Sequence, residues 1–129
     1  MSHYTQITTN MVDQECIIQA LMDQGFTRDQ IEVHDQPAVL HGYEEKRRAN
    51  IIIRKRHTGG YGDLGLLKNP ETGRYELIVD DLDQGRRFDK GKLLGRYAYH
   101  KAIRAVKKKG LRYQEARDGN GRILLTVEM

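Results

Sequence analysis

The chain has 129 residues, of which 38% are hydrophobic and 31% charged, the balance of a globular protein with a well-solvated exterior rather than of a disordered chain. One core is enough at this length, hiding roughly two thirds of the unfolded surface, so residues 1–129 read as a single domain. Twenty-two basic residues against eighteen acidic ones give a net charge of +4, a mild bias towards anionic partners that by itself does not make a nucleic-acid binder.

A single cysteine, Cys16, allows no intramolecular disulfide and suits a reducing compartment. The polar start from Met1 to Gln6 lacks the apolar stretch of a signal peptide, and no window approaches the roughly 18 apolar residues of a membrane span. A cytoplasmic location with no membrane contact is expected.

Residues Tyr4 to Thr9 alternate loosely and read as an opening strand. Val12 and Asp13 then look like a staple residue and an N-cap, followed by a helix that places Ile17, Ile18, Leu21 and Met22 on one side and ends at Gly25, with Phe26 folding back. Ile31 to Val33 and Val39 to Tyr43 are short strand candidates that Gln36 and Pro37 keep apart. Glu44 to Arg48 is a charged turn, and the β-branched run Ile51 to Ile53 suits a central strand covered on both faces.

Thr58 to Asp63 is a glycine-rich loop leading to a strand over Leu64 to Leu67. Asn69 to Gly73 forms a hairpin connection returning through Tyr75, Leu77 and Val79, and Asp80 to Gly85 leaves the sheet. A long helix is predicted from Asp89 to Lys109, stopped by Gly110. A last hairpin runs from Arg112 to Ala116, turns at Asp118 to Gly121, and faces inward through Ile123, Leu125 and Val127. The fold class is α+β: an antiparallel sheet with two helices on one face, its two strand-helix halves suggesting ferredoxin-like βα repeats that share one sheet.

The opening Met1 to Thr5, the Gly25-Phe26 helix end, Tyr75-Glu76-Leu77 after a hairpin, the closing Ile123-Leu124-Leu125 strand and above all the block Arg96-Tyr97-Ala98-Tyr99-His100-Lys101 carry a resemblance. Together they resemble, end to end, the cyanobacterial and plastid open-reading-frame family known as domain of unknown function 1257. The resemblance implies a setting in cyanobacteria, plastids or their viruses, and an accessory component with a protein partner. It carries over no activity, cofactor or catalytic residue. The chain departs from the family where Asp80-Asp81-Leu82-Asp83 stands in place of a frequent tryptophan, a residue it lacks altogether.

At 100° per residue the long helix sets Leu94, Ala98, Ala102, Ala105 and Val106 on an arc expected to be buried. The opposite arc holds Arg96, His100, Arg104 and Lys107, with Tyr97 and Lys108 beside it. A row of arginines can hold phosphates bidentately, a tyrosine can stack on a ligand, and flanking cations would lower the pKa of His100. The candidate binding residues are therefore Arg96, Tyr97, His100, Arg104 and Lys107, joined by His3 if the opening strand runs beside the helix. A plain solvated face is the bland alternative.

None of the five histidines, His3, His34, His41, His57 and His100, forms a spaced metal-binding pair, so no metal and no cofactor is expected. Gly60 to Gly65 matches a dinucleotide-binding glycine pattern but lacks the following helix. Asp80, Asp81 and Asp83 do not have calcium-loop spacing, and Arg86 and Arg87 stand near to neutralise them. Cys16, early in a helix, is a candidate for a lowered thiol pKa, yet no histidine is placed beside it as a base. The expected function is a non-enzymatic accessory or protein-binding module presenting the basic helix face. The alternative is nucleic-acid or phosphate binding through Arg96, Arg104, Lys107 and the Arg54-Lys55-Arg56 segment; an enzyme using His100 as acid or base is the third reading.

Overall fold

The computed structural model describes residues 4–42, 46–80, 87–117, 119 and 122–128. In chain order these form β1 (Tyr4–Thr8), α1 (Gln14–Met22), a 3-10 turn (Arg28–Gln30), β2 (Ile31–Val39), β3 (Arg48–Ile53), the single-turn α2 (Lys55–Thr58), β4 (Leu64–Lys68), β5 (Tyr75–Asp80), α3 (Lys90–Lys108), β6 (Arg112–Arg117) and β7 (Ile123–Glu128). Five strands make an antiparallel sheet in the order β1-β5-β4-β3-β2. The expected α+β class holds.

Both long helices pack on one face of this sheet. Ile17, Ile18 and Leu21 of α1 and Leu93 and Tyr97 of α3 meet Ile51, Ile53, Leu66 and Leu77, a single apolar cluster in which each large side chain contributes about 1.5–3 kcal/mol. The periodicity of α1 explains its helix, and Asp13 starts it by accepting the N–H of Cys16 at 3.1 Å. Met22 lies at the exposed margin and Val12 is exposed, while Met11 is buried and closes that end of the core. The staple expected of Val12 is thus not made.

The opposite face carries a smaller cluster of Tyr4, Leu40, Ala49, Ile52 and Ile78. Burial on both faces explains why Ile51, Ile52 and Ile53 are all 0% exposed, as a β-branched run in a central strand requires. The chain after β2 covers this face: Leu40 N–H donates to the Arg47 carbonyl at 2.7 Å, and the Tyr4 hydroxyl donates to the His41 carbonyl at 2.9 Å. Gly65 makes room beneath it, since a Cβ there would sit 2.7 Å from Ala49 Cβ and 3.0 Å from Leu40 Cδ1.

The expected break at Gln36-Pro37 does not split β2. The strand lies at the sheet edge and its register slips between Val33 and Ala38, so Pro37 falls in a bulged stretch where no ladder donor is needed. Asn50 fills that gap by donating its side-chain amide to the carbonyl of His34 at 3.1 Å. Nor do the two strand-helix halves share one sheet: β6 pairs with β7 in a separate two-stranded ribbon, tied to α3 by the Tyr99 hydroxyl on the Glu115 carboxylate. Residues 81–85, and the Asp118 to Gly121 turn apart from Gly119, lie outside the described residues.

Candidate functional site

The helix that carries the candidate residues starts at Asp89, whose carboxylate accepts the N–H of Lys92 at 3.0 Å, and ends before Gly110, which takes φ +69°. Its orientation differs from the wheel expectation. Leu93, Tyr97, Ile103 and Val106 are the buried side chains, whereas Leu94 is 39% exposed and Ala98 and Ala105 face solvent. Val106 is buried as the wheel predicts, but burying Leu93, Ile103 and Tyr97 removes more apolar area from water than burying Leu94 and three alanines, so the helix rolls to that side.

The roll brings the basic row against α1: Arg96 and His100 are largely covered there, while Arg104 reaches α1 and stays more than half exposed. Arg96 Nε donates to Asp23 Oδ2 at 2.7 Å, His100 Nε2 meets the same oxygen at 2.6 Å, and Arg104 Nη1 bonds both oxygens of Asp13 at 2.7 and 2.8 Å. Asp13 and Asp23 bracket α1 and lie about 15 Å apart along it, close to the roughly 12 Å between Arg96 and Arg104 on α3, so two antiparallel helices can pair both ends. Burial pushes the Asp23 carboxyl up, but the hydrogen bonds from Arg96 and His100 outweigh it and hold the group below the usual carboxylate range. Asp13 follows the same pattern, with the Cys16 amide and the charge of Arg104 overriding burial.

Tyr97 is part of this seam and not a stacking platform. It is 8% exposed, and its hydroxyl oxygen accepts the N–H groups of Val12 at 2.9 Å and Asp13 at 3.1 Å, ahead of the first turn of α1. The ring in contact with the basic row is Tyr99, over which the Arg96 guanidinium lies 4.2 Å from the centroid. Lys107 remains exposed, and His3 lies outside the described residues. His100 shares the Asp23 Oδ2 oxygen with its neighbour Arg96, so a carboxylate sits between the two.

Two open hollows of ≈ 700 Å³ and ≈ 480 Å³ flank the outer face of α3 and meet at Ala98 and Ala102, which line both; together they are called the groove, and Tyr97 and Arg96 of the seam reach their inner margins. One wall is the stretch Ile7 to Met11 after β1; the other is Ile123 and Leu125 of β7. Lys90 and Lys101 stand at the first wall and Lys92 at the second, while α3 carries no acidic residue. Lys101 reaches Asp13 only at 3.7 Å and its side chain is half exposed.

A second charged constellation, unanticipated in the sequence, clasps the end of the sheet. Arg54 grips Glu32 through two bonds at 2.7 and 3.0 Å, Asp63 at 2.8 Å and the Val39 carbonyl at 2.9 Å. Asp63 is 1% exposed and also accepts the N–H groups of His41 and Lys55 at 2.7 and 2.8 Å. Its signal in the sequence is an aspartate at the end of a glycine loop nine residues from an arginine that closes an isoleucine strand. Arg54 is therefore engaged within the chain, against its expected role at a phosphate-binding strand end.

The remaining candidates resolve individually. The Gly60 to Gly65 segment leads into β4 and not into a helix N-terminus, and Gly62 passes so close to Gly42 that a Cβ on the latter would fall 2.5 Å from its Cα. Cys16 is buried, and burial pushes its thiol up, opposite to the lowering expected of a helix start. Asp80 is buried at the end of β5; Asp81, Asp83 and Arg86 lie outside the described residues. Among the described residues no three His, Cys, Asp or Glu side chains converge to hold a metal ion, and no helix is long and apolar enough to cross a membrane.

No curated protein and no solved structure matches the chain. A family model matches residues 26–125, which takes in the sheet from β2 to β5, the whole of α3 and most of the closing ribbon. The chain belongs to the family described as Protein of unknown function (DUF1257).

Proposed function

We propose that the protein is a non-enzymatic accessory module that binds another protein through the outward face of α3, in the cytoplasm of a cyanobacterial-type cell. The observation that carries this reading is the roll of α3. With Arg96, His100 and Arg104 held by the aspartates of α1, the helix turns Leu94, Ala98 and Ala102 into an open, mainly apolar groove. Apolar surface of this kind, rimmed by charge, is typical of protein contact sites. The cyanobacterial setting rests on the sequence resemblance alone.

Nucleic-acid or phosphate binding through the basic row is the weaker reading, because Arg96 and Arg104 already donate to Asp23 and Asp13. His100 sits within the same seam against Asp23, an arrangement that serves helix packing.

The test is affinity capture from native extract with three full-length baits: wild type, Ala98→Arg in the groove and Lys107→Glu on the basic side. Proteins captured by wild type and by Lys107→Glu, and absent with Ala98→Arg, support the reading. Proteins lost with Lys107→Glu and retained by Ala98→Arg overturn it in favour of the basic face.

A further inference from the structure

We propose that the groove along α3 receives an acidic amphipathic helix of the partner, its apolar edge on Leu94, Ala98 and Ala102 and its carboxylates beside Lys90, Lys92 and Lys101. The inference rests on the protein-binding reading above and names the chemistry of what is bound.

The shape of the floor selects a helix. From Leu94 to Ala105 the exposed arc extends about 16 Å, the length of about three helical turns. Its central residues are Gly95, Ala98 and Ala102, and side chains this small let a second helix axis approach to about 8 Å, the near end of the packing range. The walls from Ile7 and from Ile123 and Leu125 add apolar surface on the two sides. This is helix-in-groove geometry, with anchors read at one face of the guest.

Charge selects the sign of the guest. The whole of α3 carries no Asp or Glu, and the two aspartates of α1 that offset it lie on the seam side. Lys90 and Lys101, about 16 Å apart on one edge, and Lys92 on the other leave the groove with a positive rim. A second copy of α3 laid in the groove would set lysine against lysine. Lys92, Arg96 and Arg122 line the hollow towards β7, but a nucleic acid laid along the helix would set its phosphates against an alanine and leucine floor that donates no hydrogen bond. A helix with a leucine or alanine edge flanked by glutamates meets both the floor and the rim.

The test uses the full chain and a labelled synthetic peptide of about 14 residues, Leu and Ala on one helical face and Glu on the other, by fluorescence anisotropy at about 50 mM salt. Two control peptides replace every Glu by Lys or put Pro at the centre. The acidic helix is expected to bind at least about tenfold more tightly than either control, to lose about tenfold with Lys101→Glu, and to lose all measurable binding with Ala98→Arg. Ala98 is exposed, so its variant is expected to keep the wild-type melt; Leu94→Arg replaces it should it fail to fold. Equal binding of the lysine peptide, or binding that survives both groove variants, overturns the inference. So does a concentration-dependent dimer that Ala98→Arg abolishes, since the occupant is then a second copy. If extract proteins are captured through Ala98 while the acidic peptide fails, the partner chemistry is wrong and the protein-binding reading stands; if neither binds, both fall.

Discussion

Replacing Tyr97 by Phe isolates what the seam contributes. The ring stays packed in the helix-facing core, while the hydroxyl that accepts two backbone N–H groups, from Val12 and Asp13, is removed. Both bonds are partly buried, so water replaces them incompletely, and at about 0.5–1.5 kcal/mol net for each the loss comes to about 1–3 kcal/mol. With a urea slope of about 2 kcal/mol per molar for a small domain, the unfolding midpoint drops by about 1 M. Equilibrium urea denaturation followed by circular dichroism reads the shift, and hydrogen exchange should show the Val12 and Asp13 amides losing protection selectively. A midpoint within about 0.2 M of wild type, with those two amides unaffected, would refute the placement of Tyr97 against α1.

Gly65→Ala is expected to destabilise by about 1–3 kcal/mol in the same assay, because its new Cβ meets Ala49 and Leu40 in a closed cluster. Arg54→Met leaves the buried Asp63 carboxylate with backbone donors and only the exposed His41 ring at 4.0 Å in place of its guanidinium, an expected loss of about 3–5 kcal/mol, with Arg54→Lys recovering only part of it. Asp13, Asp23 and Glu32 are all held below their ordinary pKa in the folded state. Their contribution is therefore fully present above the unfolded carboxylate range and is lost as pH falls through the folded values, so thermal melts should decline below about pH 4. Cys16 should resist alkylation in the native protein and react once unfolded, since burial both hides the thiol and raises its pKa.

The elements whose local and tertiary preferences agree were legible in the chain. Asp13 and Gly110 mark helix ends by capping chemistry alone, and the Ile51 to Ile53 run announces a two-sided strand because only a central position buries three successive β-branched residues. The orientation of α3 was not legible from its own wheel. Alanines satisfy an apolar pattern while contributing little burial, so of the predicted arc Val106 is buried as expected, while the larger Leu93, Tyr97 and Ile103 take the place of Leu94 and the alanines against the core. One clue lay elsewhere: Asp23 sits at the C-terminus of α1, where the helix dipole disfavours a carboxylate, and such a residue calls for a cation from another element. Pro37 misled for a similar reason, since its cost vanishes in a bulge at a sheet edge, a position set by partners far away in sequence. The Arg54 and Asp63 clasp and the walls of the groove depend on long-range register and could not be read from spacing.

The roll of α3 underlies both the seam and the groove, and adjacent leucines report it without any substitution. In a methyl-labelled sample with a soluble paramagnetic gadolinium chelate, the methyls of Leu94 and Ala98 should relax strongly while those of Leu93, which is 0% exposed, stay protected. Strong relaxation at Leu93 with protection at Leu94 and Ala98 would put the guanidinium row back in water and contradict the account.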